Sequence, residues 1–212
     1  GYVPGKIDQK QSGLLQPTYV SQNQATRGLG IQNLGWFQYF NDYLVGQASV
    51  DIFTSGTFFL DTSTRYSKRD KFNGSIQLGY SRERGLEPTD PNFTINTQKR
   101  LNITHNQDFS PYANISANIN LRTADFNRRN SFDIDERAEV STSSSISYRY
   151  RHPENLYNFS VSARQNQNFN TNITRLSGPD ANFSLKQFSP FARDNTGGSQ
   201  QSAWYENISI RY

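Results

Sequence analysis

Two histidines, one acidic trio and five arginines at polar positions are the residues whose types and spacing could do chemistry. His105 and Asp108, three residues apart, are the one histidine and carboxylate whose types suggest acid–base work, and His152 is the only other histidine. The chain has no cysteine and no serine in a nucleophile-elbow sequence, so nothing completes a catalytic set and the protein is read as a non-enzyme. Asp133, Asp135 and Glu136 offer carboxylates, but without the ligand spacing of a calcium loop, and are read as solvated charges. No metal and no cofactor is expected. Arg65, Arg122, Arg149, Arg164 and Arg211 each fall on the polar side of an alternating segment, as do the amides of Asn114 and Asn118. Guanidinium suits phosphate or carboxylate. Amides suit sugar hydroxyls, but polar side chains facing water are equally a solvation choice, and the residues alone leave both readings open.

The elements that must position these residues are strands. In residues 112–122, Ala113, Ile115, Ala117, Ile119 and Leu121 alternate with Asn114, Ser116, Asn118, Asn120 and Arg122. Successive side chains on a β-strand point to opposite faces, so the pattern separates an oily surface from a watery one. It recurs in Phe72, Ile76, Leu78 and Tyr80 against Asn73, Ser75, Gln77 and Ser81, and in Val140, Ile146, Tyr148 and Tyr150 against serines and Arg149. Segments of about ten such residues are the mark of a transmembrane β-barrel, apolar towards lipid and wet inside.

Composition agrees. With 33% hydrophobic residues in 212 and a mean hydropathy of −0.80, the chain is too polar for a dense globular core and has no run of roughly 18 apolar residues for a spanning helix. Fifteen Phe and twelve Tyr argue against disorder. The net charge of +4 is too small and dispersed to imply nucleic acid.

Residues 1–27, with Pro4, Gly5, Gly13 and Pro17, read as an extended lead-in, and 28–212 as a partial outer-membrane barrel. Strands are expected at about 28–39, 43–54, 57–67, 71–82, 98–106, 112–122, 138–150, 156–167, 169–176, 182–188 and 203–212. Long polar loops are expected at about 83–97 and 123–137. The fold expected is all-β and antiparallel, about eleven strands of a larger barrel, because the pattern stops inside a strand and an open sheet edge is untenable in lipid. The absence of an initiating Met and of a leader is read the same way. Aromatics near strand ends (Tyr66, Tyr80, Tyr150, Trp204, Tyr212) fit interfacial girdles. One conflict remains in this reading. If the first strand rises from the periplasm, both long loops fall on the periplasmic side, where turns are usually short. Either one strand has been missed before residue 82, or those loops meet a partner.

The stretch Lys10-Gln11-Ser12-Gly13-Leu14-Leu15-Gln16-Pro17-Thr18-Tyr19 resembles the "(R/K)xSGFLxPSF/Y" opening of the barrel in the LptD family of lipopolysaccharide-assembly translocons. The similarity continues through Asn33-Leu34-Gly35-Trp36-Phe37, Asn41-Asp42-Tyr43, Asp51 to Gly56 and Arg65 to Arg69. His105-Asn106-Gln107-Asp108 and Trp204-Tyr205-Glu206-Asn207-Ile208 are similar to motifs of the Bacteroidota branch. The resemblance implies an integral outer-membrane barrel of roughly twenty-six strands that passes lipopolysaccharide, or another glycolipid, through its lumen and a lateral seam without enzymatic chemistry. It also implies a plug lipoprotein of the LptE type and a periplasmic bridge protein docking through a jellyroll that this stretch lacks. Pro17 matches the family's proline near the seam, and Gly35 stands where a second proline is usual. Both would weaken edge pairing, and a β-forming side chain at 35 is expected to tighten it. The rival readings are a porin or TonB-dependent receptor passing soluble solutes, and a soluble carbohydrate-binding β-sandwich.

Overall fold

The computed structural model describes residues 11–21, 27–85, 93–124 and 140–186, with positions 89 and 138. These residues form one antiparallel sheet. Its strands are β1 (Gly13–Leu14), β2 (Thr18–Ser21), β3 (Leu29–Asn41), β4 (Leu44–Phe53), β5 (Phe58–Lys68) and β6 (Phe72–Arg84). They continue with β7 (Ile95–Ser110), β8 (Ala113–Arg122), β9 (Ser141–Arg151), β10 (Tyr157–Asn168) and β11 (Ile173–Leu185). From β3 onwards each strand pairs with its sequence neighbour, while β1 and β2 lie end to end along the outer side of β3. Most of these strands have ten residues or more, enough to cross a bilayer at a tilt. Among the described residues the sheet does not close on itself.

Register carries the sequence alternation across the sheet. Thr64, Ile76, Ile103 and Ile119 stand opposite one another in turn on one face, with Thr62, Leu78, Leu101 and Leu121 beside them. The other face carries Gln77, Asn102 and Asn120, and next to them Ser75, Thr104, Asn118 and Ser145. All the strand acids, Asp51, Asp61, Glu83, Asp108 and Asp180, share that polar face. The apolar face is not buried: Leu78 is 50% exposed and Ile146 44%, and the only buried hydrophobic side chains described are Val45 and Phe53. A β-sandwich would hide these residues between two sheets. One layer with an exposed oily face calls for hydrocarbon as its second solvent.

Both ends of the apolar face carry rings. Tyr66 packs with Phe72, Tyr148 with Phe159, and Tyr150 and Phe183 with Tyr157, making a band along one end. Tyr80 meets Phe58 at the other. Tyr66 and Gly74 are direct cross-strand partners, and the phenol lies across the glycine to reach His105 Nδ1 at 2.9 Å. A Cβ at Gly74 would strike that phenol, so the glycine is what lets the ring lie flat. Trp204 and Tyr212 fall outside the described residues.

Three differences from the sequence reading have physical causes. The expected strands 169–176 and 182–188 are one strand, β11, because the Gly178-Pro179 pair is taken up in a β-bulge opposite Ala163 instead of ending the ladder. Strand β7 is longer than expected because β6 runs on to Arg84 and offers partners back to Ile95. The third is the lead-in, which joins the sheet through β1 and β2, antiparallel to β3. Residues 13–21 are thus the missed strand, and the topological conflict disappears. The turns after β3, β5, β7 and β9, all short, lie at one end; at the other lie the two long connections, after β6 and β8, together with the short ones after β4 and β10. The expected strand 203–212 lies outside the described residues.

If the isoleucine face meets hydrocarbon, Ile103→Arg should destabilise the protein folded in bilayers by about 2–4 kcal/mol, while Asn102→Arg on the opposite face should cost less than about 1 kcal/mol. Urea unfolding from phospholipid vesicles measures the difference, and equal costs would argue against a lipid-facing surface.

Candidate functional site

The first part of the site is the edge. Within the motif, Ser12 Oγ accepts from Tyr39 N at 2.9 Å, Gly13 and Leu14 pair with Phe37 and Trp36, and Leu15 N donates to Gly35 O at 2.9 Å. The ladder then lapses at Gln16 and Pro17 and resumes at Thr18. Pro17, with no N–H, sits in that gap. Opposite it, Asn33 adopts a left-handed conformation (φ 60°), which asparagine tolerates better than most residues. Its N–H turns away to Asp51 Oδ1 at 2.7 Å, and its side-chain amide donates to Gln16 O at 3.1 Å. The register of β3 against β4 shifts at this point. Sequence reasoning missed Asn33; an Asn within an apolar-flanked strand was the available signal.

Gly35 lies one strand in from the edge, paired with Ser49 of β4 while its carbonyl serves Leu15. A Cβ there would run into the Ala48 carbonyl oxygen and come within 2.7 Å of Ser49 Cα. The expectation that a larger residue at 35 would tighten pairing is therefore corrected: glycine is what allows β3 and β4 to approach.

The second part is the polar face. Register puts Arg65, Asn114, Asn118, Arg122, Arg149 and Arg164 together on this face. Arg65, Ser75, Thr104, Asn118, Ser145 and Arg164 make a single cross-sheet row. Asn114 and Arg149 are direct partners in the row that begins at Asp108 and ends at Asn182. Arg122 stands opposite Arg100. Arg211 falls outside the described residues, as do Asp133, Asp135 and Glu136. Arg65 and Arg164 are five strand spacings apart, about 24 Å. The arginines therefore do not converge on one phosphate. Between them runs a strip of hydroxyls and amides with short mutual bonds, Ser75 to Thr104 and Ser116 to Ser147 at 2.9 Å each. Asn114 and Arg149 also line a cleft of 1170 Å³ at the short-turn end, together with Lys68, Lys71 and Arg151.

Two ion pairs stand on this face that no sequence spacing announces. Arg27, just ahead of β3, sends Nε and Nη2 to Glu83 Oε1 at 3.0 and 2.9 Å, with side-chain exposures of only 10% and 17%. Its guanidinium also lies 4.9 Å from the Phe59 ring centroid and 5.9 Å from Phe53. Arg27 thus clasps the start of β3 to β6 across two intervening strands. Arg100 Nη2 meets both Asp61 oxygens at 3.0 and 3.2 Å, in a more open setting. His105 lies on the apolar face, bonded to Tyr66, whereas Asp108 lies on the polar face, so the two do not form an acid–base pair. Among the described residues no group of His, Asp and Glu has metal-holding geometry.

A single sheet with an oily face, a wet face and a broken first strand is thus in place. The chain matches the family described as LptD protein over residues 1–212. It belongs to the LptD family. No curated protein and no solved structure matches it. LptD-family proteins are outer-membrane β-barrels of lipopolysaccharide transport and not enzymes. Membership separates this chain from the porin and TonB-dependent readings.

Arg27→Ala should strip Glu83 of a nearly buried charged partner and cost about 2–3 kcal/mol, whereas Arg100→Ala, losing a half-exposed partner, should cost less than about 1 kcal/mol. Gly35→Val should overpack the β3–β4 contact by about 1–3 kcal/mol. Denaturant unfolding of the three variants in detergent micelles tests this ranking.

Proposed function

We propose that this protein moves lipopolysaccharide into the outer leaflet of a Gram-negative outer membrane through a water-filled lumen lined by the polar face and a lateral seam at the 13–21 strand. The observation that carries the reading is the segregation of faces. In the described strands the polar arginines named above, Asn114, Asn118 and the strand acids share one side, and from β5 to β9 the exposed leucines and isoleucines share the other. A wide hydroxyl and amide strip suits cargo with many sugar and phosphate groups better than it suits one small anion. Such a strip makes many weak, exchangeable bonds and no deep trap.

Short turns are usual at the periplasmic end of outer-membrane barrels and longer loops outside. On that rule the first strand, 13–21, rises from the periplasm, and the connections after β6 and β8 face the exterior. The seam lies along the open side of β1 and β2, and the hold of that strand on β3 behind it is itself interrupted at Pro17 and the Asn33 bulge; Gly35 acts one strand further in. A plug lipoprotein of the LptE type would face the same amides and hydroxyls from within the lumen. The cleft beside Asn114 and Arg149 at the short-turn end, where Lys68, Lys71, Arg149 and Arg151 outnumber Asp70 and Asp108, is the approach for glycolipid delivered by a periplasmic bridge protein through a jellyroll. The motif at residues 105–108 supports the Bacteroidota branch.

Photo-crosslinkers placed at Asn118 and Arg65 in the full-length protein in cells should capture lipopolysaccharide or a lipoprotein, and one at Ile115, on the apolar face near the short-turn end, should capture phospholipid only. Lipopolysaccharide captured at 115 as strongly as at 65 and 118, or missing at 65 and 118, would argue against passage along the polar side.

A further inference from the structure

Among the described residues, charge on the apolar face is rare and of one sign. Register places Lys68 there at the short-turn end, and Arg82, Arg84 and Lys99 at the long-loop end, with every strand acid on the opposite side. Tyr80 pairs with Lys99 and Arg82 with Thr97, so Arg82 and Lys99 are diagonal neighbours, roughly 7–8 Å apart at the backbone and within reach of a common phosphate through their long side chains. Both are exposed. A lipid-facing lysine or arginine extends its charge towards the headgroup layer, its methylenes staying in oil.

Below this pair lies a cleft of 840 Å³. Leu60, Leu78, Leu101 and Leu121 supply its aliphatic lining, while Lys99, Gln167 and Asn172 bring an ammonium and two amides; the Thr123 hydroxyl, also in the lining, is held by Gln98 and the Lys99 backbone. On β9 and β10 the apolar face is also the more enclosed of the two at this end, with Thr142 and Ser144 buried, so this corner of the sheet is not a flat wall. A recess with an aliphatic lining, hydrogen-bonding groups for hydroxyls and an adjoining cationic pair fits an acylated, phosphorylated sugar. An acyl chain alone would need no such polar groups.

We infer that this recess is an external binding site for one molecule of outer-leaflet phosphoglycolipid, its acyl chains against Leu60, Leu78, Leu101 and Leu121 and a phosphate between Arg82 and Lys99. The leaflet rests on the orientation proposed above. The site lies outside the lumen, on the surface that newly delivered glycolipid would meet on leaving the seam, and it would hold a boundary lipid in place where the long connections begin.

The test uses the full-length protein in its own outer membrane, with a photo-crosslinker at Leu78, a second at Ile115 on the same face near the opposite end, and a third at Asn118 in the lumen. Captured lipid is identified by mass spectrometry. The Leu78 probe should capture lipopolysaccharide, and capture should fall at least fivefold in R82Q/K99Q but persist in R82K/K99R. Capture at Ile115 and Asn118 should not change. Heat-modifiable migration on gels verifies that each variant folds. Lipopolysaccharide capture at Leu78 that ignores the charges, or capture of phospholipid there instead, would overturn the site. The Asn118 probe reads the transport proposal separately, since its signal does not depend on residues 82 and 99.

Discussion

Hydrocarbon offers no hydrogen-bond partner to a peptide group, and each N–H or C=O left bare in it costs several kcal/mol. That constraint governs this protein. It demands that every strand crossing the bilayer be zipped to neighbours on both sides, and it leaves the side chains to choose solvents by parity alone. Once register is fixed, Leu101 and Asn102 cannot exchange faces without moving every residue of β7 with them. The sheet needs no interior core because its apolar side chains are covered by lipid, which explains how so polar a composition can build so long a set of strands.

The same constraint gives the charges their places. An acid facing acyl chains would have no way to reach a cation, so the strand acids are confined to the wet side, where Glu83 and Asp61 find Arg27 and Arg100. Basic residues with long stems are admitted to the oily side only near its ends, where they can reach headgroups. The Arg27 clasp has a further effect. It fixes the beginning of β3 to β6, on the side of the sheet away from the edge, so β3 is held independently of whatever happens to residues 13–21. If the first strand moves as the proposed seam requires, β3 needs such an anchor to stay in place.

Most of the sheet was legible in the sequence, since a period of two is written in the long strands and lipid leaves it uncorrupted by burial on both faces. Arg65, Asn114, Asn118, Arg122, Arg149 and Arg164 could be assigned to one face for that reason. Pairing across strands was not legible: nothing in the spacing of Arg27 and Glu83, 56 residues apart, or of Asp61 and Arg100 links them before the register is known. The first strand was hidden because β1 and β2 are too short, and too broken by Gln16 and Pro17, to show any period. Gly35 was misread because a glycine looks the same in sequence whether it loosens a strand or permits a close approach. Only the position of the Ala48 carbonyl tells the two apart.

The edge shows how a weak strand can be tolerated at all. Two register pairs from β1 and four from β2 hold it to β3, against nine between β3 and β4. Part of the deficit is made up by side chains: Ser12 bonds to the Tyr39 backbone and Asn33 to the Gln16 carbonyl. Each such bond contributes a net of only about 0.5–1.5 kcal/mol when its groups can turn to water instead. The Asn33 contacts are exposed, and Asp51, their anchor on β4, faces the wet side. Parting the strand there exchanges protein bonds for water bonds at small cost, whereas parting a fully laddered strand in oil would strand backbone groups at several kcal/mol apiece. A seam in a membrane wall is therefore easiest to open where proline has already removed a donor and where side chains, reachable from the lumen, stand in for the ladder.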